Sequence, residues 1–222
     1  MLFKDRQQAG ALLARKLEHL RGKDVLVLAL PRGGVVVGHQ IARAMQASLD
    51  VYIAHKIGAP FNEELAIGAV ASDGTIVLDD VLIAQLGVTS SYLEREIERQ
   101  KREIQRRLEC YRGKKPPPAV EGRIVILVDD GVATGATTKA ALRALRKQNP
   151  ARLLLAVPVG PPEAIQRLEQ EADQVICLAT PEPFWAVGRF FLDWAQISDT
   201  QVVCLLEDAA KPARPGAGSS AD

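Results

Sequence analysis

The sequence contains few of the residues that build disulfide frameworks, zinc centres or aromatic interfaces. Its 222 residues include three cysteines and three histidines, and only 5% of the residues are aromatic. The cysteines are odd in number, lie far apart and include no Cys-x-x-Cys pair, so they fit neither a disulfide framework nor a thiolate zinc site. Three scattered histidines offer no metal-binding triad. We therefore expect reduced cysteines and no metal ion held by imidazole.

The chain also lacks a strong net charge and a long apolar run. Its formal net charge of +1 at pH 7 provides no overall field that would attract nucleic acid or a membrane surface, so any anion site must be built locally. No apolar run approaches the roughly 18 residues that a spanning helix needs. Residues 1–10 carry early charges and no apolar signal-peptide core. We expect a cytoplasmic protein with neither a membrane nor a nucleic-acid partner.

What the sequence does contain is an alternation of strands and amphipathic helices. With 47% hydrophobic residues, the chain is long enough to form one large domain. We expect an α/β fold with a doubly wound, mostly parallel sheet flanked by helices, whose ligand lies at the carboxyl ends of the strands. β-Branched and leucine runs predict strands at residues 25–30, 51–54, 124–128, 153–157 and 175–178, and helical patterns predict helices at 35–45, 137–147 and 163–171.

Three further elements flank this alternation. Asp5 is placed to cap an amphipathic helix that covers the sheet. Two extended segments within residues 66–78, joined by Ser72-Asp73-Gly74, predict a β-hairpin beside the sheet. A long helix is predicted from a cap within residues 89–91 to about Tyr111.

The predicted elements belong to one domain that spans residues 1–208. A small hood is expected from residues 180–197, together with the N-terminal helix. Residues 114–118 contain three prolines and predict an extended connector. Residues 209–222 are rich in Pro, Gly, Ser and Ala and are expected to form a disordered tail.

The most informative segment is a strand that runs into two acidic residues and a loop of small residues. Asp129 and Asp130 follow the apolar residues 124–128, and residues 131–138 hold two glycines and three threonines. Adjacent carboxylates at a strand end repel each other and lose hydration, so they need hydroxyl donors or a cation. The loop's N–H groups, its hydroxyls and the dipole of the next helix can converge on one phosphate. A phosphorylated ribose supplies both the hydroxyl donors for the carboxylates and the phosphate for the loop.

A plain turn is the alternative interpretation of this segment. Acidic residues and glycines often follow buried strands as turn chemistry, and a lone Asp-Asp-Gly would favour that interpretation. The threonine and glycine continuation favours a binding site instead. Two other phosphate motifs do not fit, since the chain has neither a Gly-Lys followed by Ser or Thr, as a P-loop needs, nor the three spaced glycines of a Rossmann fingerprint on its first strand.

Residues 125–137 resemble the phosphoribosyl-pyrophosphate signature of the type I phosphoribosyltransferases. The resemblance implies the fold of that family, and it implies that the chain binds 5-phosphoribosyl-1-pyrophosphate (PRPP) with Mg²⁺. It implies that Asp129 and Asp130 engage the ribose hydroxyls, directly or through the metal, and act in catalysis. The residues implied to wrap the 5-phosphate are Ala133, Thr134, Gly135, Ala136 and Thr137, and Gly131 and Val132 are further PRPP-binding candidates.

Two other segments carry candidate pyrophosphate contacts. Arg32, Gly33 and Gly34 follow the first strand, where the family's pyrophosphate loop often contains a non-proline cis peptide bond. Lys56, which follows the second predicted strand, is a candidate to place a cation on the leaving pyrophosphate. A simple Pro-Arg-Gly-Gly turn and an exposed structural lysine remain the alternatives.

Residues 95–115 hold nine Lys or Arg against four Glu, which suits a mobile flap over a polyphosphate. The favoured interpretation is a solvated helix instead, because Glu98 with Arg102 and Glu103 with Arg107 have i,i+4 spacing.

Phenylalanine and tryptophan, scarce elsewhere, concentrate between residues 181 and 194. This segment is similar to the hood of hypoxanthine-guanine phosphoribosyltransferases, where an aromatic ring stacks on the purine and a later aspartate lies near the pyrophosphate. The resemblance makes Phe184, Trp185 and Val187 the acceptor-site candidates and Asp193 a third metal-ligand candidate. Core packing of the aromatic rings is the alternative. Ala133 stands where purine-specific members carry an aspartate, so the acceptor is left open.

The expected activity is transfer of the phosphoribosyl group of PRPP to a nitrogen acceptor, a nucleobase in the first instance, with release of pyrophosphate. Its expected partners are these small molecules and a second copy of the chain in a homodimer. A sensor of PRPP or nucleotide without turnover is the alternative, and a hydrolase or phosphorylase of a related sugar phosphate is another.

Overall fold

A computed structural model describes residues 2–211, except the side chain of Glu64. The described part folds into a five-stranded sheet, a three-stranded sheet and seven α-helices. The strands are β1 (Val25–Ala29), β2 (Ser48–Val51), β3 (Ala54–Ala59), β4 (Asn62–Ala71), β5 (Ile76–Leu78), β6 (Ile124–Val128), β7 (Arg152–Val159) and β8 (Gln174–Ala179). The helices are α1 (Arg6–Lys16), α2 (Gly33–Met45), α3 (Asp80–Gln85), α4 (Ser90–Arg112), α5 (Ala136–Arg146), α6 (Pro162–Glu169) and α7 (Asp199–Ala209).

The main sheet has the strand order β2-β1-β6-β7-β8 and is parallel throughout. From β1 the chain crosses through α2 to β2 on one side, and from β6 it crosses through α5 to β7 on the other. The crossing direction therefore reverses between β1 and β6, and ligands of such sheets bind in the crevice at that point. The predicted doubly wound α/β fold is confirmed, and it places the ends of β1 and β6 side by side.

Alternate residues of the central strands point into two different layers of core. Leu26, Leu28 and Leu127 pack under α5 and α6, whereas Val27 and Ile126 pack under α1 and α2. Strands that are buried on both faces require apolar residues at every position. The five residues of β1 are all buried, which explains why its sequence is continuously apolar.

The predicted β-hairpin is confirmed, but the second predicted strand is wrong. β4 and β5 pair antiparallel, with Val70 opposite Ile76, and β3 extends them into a separate sheet. Residues 51–54, predicted as one strand, span the corner between β2 and β3. The run is apolar because Tyr52 and Ile53 are buried at that corner, so burial and not pairing produced the pattern.

The charged segment around residues 95–115 lies mostly within α4, a continuous helix that Thr89 caps. Glu103 pairs with Arg107 at 2.7 Å as predicted, while Glu98 pairs with Lys101 instead of Arg102. These ion pairs are those of a solvated helix. Neither α3 nor α7 was predicted from the sequence. α7 ends at Ala209, and the rest of the tail predicted to be disordered lies largely outside the described residues.

The N-terminal segment forms part of the hood. Asp5 caps α1 by accepting a hydrogen bond from the N–H of Gln8 at 2.7 Å. Just before it, the N–H of Phe3 donates to the carbonyl of Phe190, and the N–H of Leu192 donates to the carbonyl of Phe3, both at 2.8 Å. Phe3 is completely buried beside Phe191. The first residues therefore fasten the hood to the helix layer.

No α-helix in residues 2–211 is both long enough and apolar enough to cross a membrane. The three cysteines are all free thiols, as predicted.

Replacing Leu127 with alanine should lower the free energy of unfolding by about 2–5 kcal/mol, because the side chain is completely buried and leaves a cavity. Leu86→Ala is the matched control, since Leu86 is 45% exposed and should lose under about 1 kcal/mol. Urea unfolding of both variants measures the difference. Equal losses would contradict the assignment of Leu127 to the core.

Candidate functional site

The acidic doublet, Asp129 and Asp130, lies at the carboxyl end of β6, at the point where the sheet reverses its winding direction. Both residues are half-buried. The loop that follows β1 faces them from the neighbouring strand. Because β1 and β6 pair in register, with Ala29 opposite Val128, the residues after these strands must meet.

Asp129 is in an environment that disfavours its charged form. Burial, and secondly the negative charge of Asp130, raise the pKa of the Asp129 carboxyl well above its ordinary value of 3.8. A hydrogen bond from the Asp130 N–H to Oδ1 of Asp129, 2.8 Å long, opposes that shift. A nearby cation or a pair of hydroxyl donors would favour the ionised doublet, and either would be supplied by a ligand.

Asp130 has a protein counterion. Nε of Arg6 donates to Oδ2 of Asp130 at 2.7 Å, and Nη1 of Arg6 donates to the carbonyl of Ala195 at 2.9 Å. The guanidinium also lies over the ring of Trp194, 3.6 Å from its centroid. Arg6 is only 8% exposed. It was not among the residues selected from the sequence, because the first residue of an amphipathic helix carries no motif that would mark it as a site residue.

The loop between β1 and α2 contacts the doublet through glycine. The peptide bond between Pro31 and Arg32 is cis, which agrees with the expectation from the resemblance. A Cβ atom on Gly33 would overlap the carboxylate of Asp130, and one on Gly34 would lie 3.0 Å from Cα of Asp129. Only residues without a side chain allow this approach. The side chain of Arg32 reaches outward and lies 3.9 Å from Asp199.

The loop after the doublet leaves backbone donors available. Gly135 has φ +78° and is the N-cap of α5, and because it has no side chain it cannot cap the first turn. Within the described residues, no carbonyl or side chain accepts from the N–H groups of Ala133, Gly135, Thr137 or Thr138, whereas the N–H of Ala136 donates to the hydroxyl of Thr134 at 3.4 Å. Free N–H groups at a helix N-terminus attract anions.

Two cavities open at this end of the sheet, and Pro31 lines both. The first, of about 370 Å³, contains the doublet and is lined by Arg6, Arg32, Gly33 and residues 194–197. The second, of about 340 Å³, lies between β3, α4 and the start of α5. The doublet and Thr137 therefore line neighbouring cavities and not a single one.

Lys56 lies in the second cavity, away from the doublet. It belongs to β3, where it pairs with Ala69, so the prediction that it follows a strand end is wrong. The cavity also contains Arg99, which Glu96 holds at 2.7 Å, and His55. Burial lowers the pKa of His55, and its Nδ1 lies 2.8 Å from Oε1 of Gln100.

The hood residues selected from the sequence have different surroundings. Phe184 stacks on Phe190 with ring centroids 5.3 Å apart. Val187 packs directly on Gly131, which leaves no room for a Cβ atom there. Trp185 is 74% exposed, and within residues 2–211 no ring contact involves it. Of the three acceptor candidates, Trp185 alone presents a free aromatic face.

Asp193, selected as a third metal ligand, is not brought to the doublet. It is exposed, its Oδ1 accepts from the N–H of Ala195 at 3.0 Å, and it does not line the doublet cavity. The hydrogen bond from its N–H to the carbonyl of Lys4 at 2.8 Å fixes it on the N-terminal segment. The chain following it, Trp194 to Ile197, lines the cavity instead.

Asp129 and Asp130 fit a Mg²⁺ ion that takes its remaining ligands from the substrate phosphates. Carboxylate oxygens are the ligands that Mg²⁺ prefers, and it commonly takes one or two carboxylates together with substrate phosphates. Asp129 and Asp130 meet that requirement. Within the described chain, no group of three or more His, Cys, Asp or Glu could hold a metal by itself.

The raised pKa of Asp129 predicts a pH-dependent effect of Asp129→Asn. Above pH 3.8 the unfolded chain ionises this carboxyl while the folded protein keeps it protonated, so the stability of the wild type falls until the folded-state pKa is passed. The variant avoids this cost. In metal-free buffer, urea unfolding should show the variant gaining stability relative to wild type as the pH rises above 4.

Asp208→Asn is the opposite-sign control. A hydrogen bond from His39 lowers the pKa of that carboxyl, so this variant should lose stability relative to wild type as the pH rises from below that pKa. A stability difference for Asp129→Asn that does not grow with pH would contradict the stated environment of Asp129.

Comparison of the chain with known proteins identifies a matching family. A model described as the phosphoribosyl transferase domain matches residues 4–193. A Mycobacterium tuberculosis protein with the provisional name phosphoribosyl transferase is 44% identical over 208 residues, which are 94% of this chain and 47% of that protein. This chain thus spans about half the length of that relative.

Two further similarities differ in extent. A crystal structure of a Thermus thermophilus protein matches with a TM-score of 0.86 and 45% identity, over 95% of this chain and 100% of that one. A uracil phosphoribosyltransferase of Aquifex aeolicus is 33% identical over 58 residues, 26% of this chain and 28% of that protein. Because the family model covers most of the sequence, including the acidic doublet and both glycine loops, the chain belongs to the phosphoribosyl transferase family.

Proposed function

We propose that the protein transfers the phosphoribosyl group of PRPP to a nitrogen acceptor of the nucleobase type and releases pyrophosphate. One observation carries the proposal. At the switch point of the sheet a carboxylate doublet is in contact with a glycine turn, and it is followed by a helix N-terminus that has free N–H groups and whose Thr137 lines the neighbouring cavity. These three elements match the hydroxyls, the pyrophosphate and the 5-phosphate of PRPP.

Each element has a distinct task in this reaction. Asp129 and Asp130 accept hydrogen bonds from the ribose hydroxyls or hold Mg²⁺, and residues 133–138 bind the 5-phosphate through N–H groups and the hydroxyls of Thr134 and Thr137. Residues 32–34 face the pyrophosphate. Lys56 lies across Pro31 in the second cavity, where its ammonium group would act on the pyrophosphate only if the ligand extends past that proline.

The bond changes balance without any redox step. The bond from C1 of the ribose to the pyrophosphate oxygen breaks, a bond from C1 to the acceptor nitrogen forms, and the nitrogen's proton passes to solvent. When bound, Mg²⁺ would neutralise charge on the leaving pyrophosphate. Positive charge that develops on the sugar is stabilised by the adjacent carboxylates, and holding both reactants in line supplies much of the acceleration.

Asp129→Asn combined with Asp130→Asn should abolish both PRPP binding and pyrophosphate release while the chain stays folded. Removing both carboxylates eliminates the acceptors for the ribose hydroxyls and the ligands for Mg²⁺. Calorimetry with PRPP and Mg²⁺, and a pyrophosphate assay with a panel of bases, measure the two effects. Circular dichroism checks the fold.

A second acidic doublet in the chain provides the control. Asp79 and Asp80 are adjacent and exposed at the start of α3, and asparagine is also a good N-cap. Asp79→Asn with Asp80→Asn should leave PRPP binding unchanged. Unaltered PRPP binding in the Asp129 and Asp130 double variant would refute the site, and PRPP binding by wild type without pyrophosphate release from any base would favour a sensor.

The exposed ring of Trp185 is the proposed stacking surface for the acceptor. Val187, two residues on, packs against Gly131 next to the doublet, while Trp185 itself lines neither of the two cavities. Trp185→Ala should raise the KM for the acceptor about 5-fold or more, as expected for the loss of one base–aromatic stack, with the KM for PRPP unchanged. Trp185→Phe keeps a ring and should retain most of the affinity.

Leu192→Ala is the matched surface control, because Leu192 is 72% exposed on the same hood and has no predicted role. Steady-state kinetics with the acceptor identified from the base panel measures all three variants. An acceptor KM that Trp185→Ala leaves unchanged would place the acceptor elsewhere.

A further inference from the structure

The side chain of Arg6 joins three parts of the molecule that are distant in sequence. It pairs with Asp130 at 2.7 Å, donates to the carbonyl of Ala195 at 2.9 Å and lies 3.6 Å from the centroid of the Trp194 ring. Its contacts therefore include the acidic doublet and the hood. The glycine loop is close as well, since a Cβ atom on Gly33 would lie 2.8 Å from Nε of Arg6.

The guanidinium is held in one orientation. The hydrogen bonds use Nε and Nη1, and the flat face rests on the indole, so rotation about any side-chain bond would break at least one contact. Cation–π contacts and charge-assisted hydrogen bonds both strengthen when they are partly buried. A rigid guanidinium in turn fixes the carboxylate of Asp130, because the Nε–Oδ2 bond restricts its rotation.

Trp194, the ring on which the Arg6 guanidinium lies, belongs to the hood and packs against other hood residues. Gly188 approaches the Trp194 indole so closely that a Cβ atom there would lie 2.7 Å from Nε1, and Phe191 packs against the same ring with centroids 4.8 Å apart. The N–H of Leu192 donates to the carbonyl of Phe3. Residues 2–6, which we call the N-terminal strap, thus dock on the hood and deliver Arg6 to the doublet.

We propose that Arg6 is a positioning residue that couples the hood to the acidic doublet. The carboxylate of Asp130 is oriented for a ribose only while the N-terminal strap and Trp194 hold the guanidinium in place. This inference rests on the proposed function, because it assigns Arg6 a task in PRPP binding. It also predicts that a substitution in the hood weakens the binding of the ribose, although no hood side chain needs to touch the sugar.

A second ion pair in the chain provides a close control. Nε of Arg112 lies 3.1 Å from Oδ2 of Asp50, and its Nη2 donates to the carbonyl of Val51 at 3.2 Å. Side-chain exposures are 9% for both arginines, and 17% and 18% for Asp130 and Asp50. Arg112 lines neither of the two cavities at the strand ends. Arg112→Gln therefore breaks an equally buried pair away from the site.

The test compares Arg6→Gln, Arg6→Lys, Trp194→Leu, the Arg6→Gln/Trp194→Leu double variant and Arg112→Gln. Calorimetry gives the Kd for PRPP with Mg²⁺, and thermal unfolding gives the stability of each variant. Arg6→Gln should weaken PRPP binding about ten-fold or more, as for the loss of one charge-assisted hydrogen bond. Arg112→Gln should lower the unfolding temperature comparably and leave the Kd within about two-fold.

The other variants separate coupling from charge alone. Arg6→Lys keeps the charge but not the planar fork, so it should restore only part of the affinity. Trp194→Leu should weaken PRPP binding less than Arg6→Gln does. The double variant should bind hardly more weakly than Arg6→Gln, because both changes break one shared interaction.

Three outcomes would overturn the inference while the proposed function stands. They are wild-type affinity in Arg6→Gln, equal loss of affinity in Arg6→Gln and Arg112→Gln, and additive effects of Arg6→Gln and Trp194→Leu. Tighter PRPP binding by Arg6→Gln would also overturn it, since Arg6 would then block the doublet. A wild-type protein that binds no PRPP contradicts the proposed function itself.

Discussion

The repulsion between two adjacent carboxylates at the end of a buried strand is the constraint on which the rest of the site depends. Asp129 lies half-buried beside Asp130, and burial together with the charge of Asp130 raises the pKa of the Asp129 carboxyl. The packing of the sheet does not require acids there, because β6 is paired on both sides and fills the core with apolar side chains. A fold that retains such a cost is typical of a site that a ligand completes.

The surroundings of the doublet compensate that cost only in part. Arg6 provides one positive charge to Asp130, and the Asp130 N–H hydrogen-bonds to Asp129. Gly33 and Gly34 bring a second loop within contact distance without adding a side chain. The uncapped first turn of α5 provides donors with no acceptor in the described chain. The arrangement thus offers carboxylate acceptors for hydroxyls or a cation, beside N–H donors for a phosphate.

Much of this arrangement could be predicted from the sequence because it follows from the periodicity of apolar residues. Residues 124–128 form β6 as predicted, and the Asp-Gly turn at Asp73 and Gly74 forms the expected hairpin. The strand prediction failed where residues are buried without pairing in a sheet. Tyr52 and Ile53 look like part of a strand because they are apolar, yet they form a corner between two sheets, and Lys56 therefore lies on a different element from the one expected.

Contacts between distant segments could not be predicted at all. Arg6 reaches Asp130 across 124 positions and Ala195 across 189, and neither partner imposes a local pattern on the residues around Arg6. The hood shows the same limit. Composition marked residues 181–194 as rich in aromatic side chains, but only the structure separates the packed rings of Phe184 and Phe191 from the exposed ring of Trp185.

The most direct test of the account is a crystal structure of the protein with ribose 5-phosphate and Mg²⁺. The account predicts the phosphate on the N–H groups of residues 133–138 and the ribose hydroxyls facing Asp129 and Asp130. A phosphate bound elsewhere, or a ribose turned away from the doublet while the phosphate occupies the loop, would contradict it.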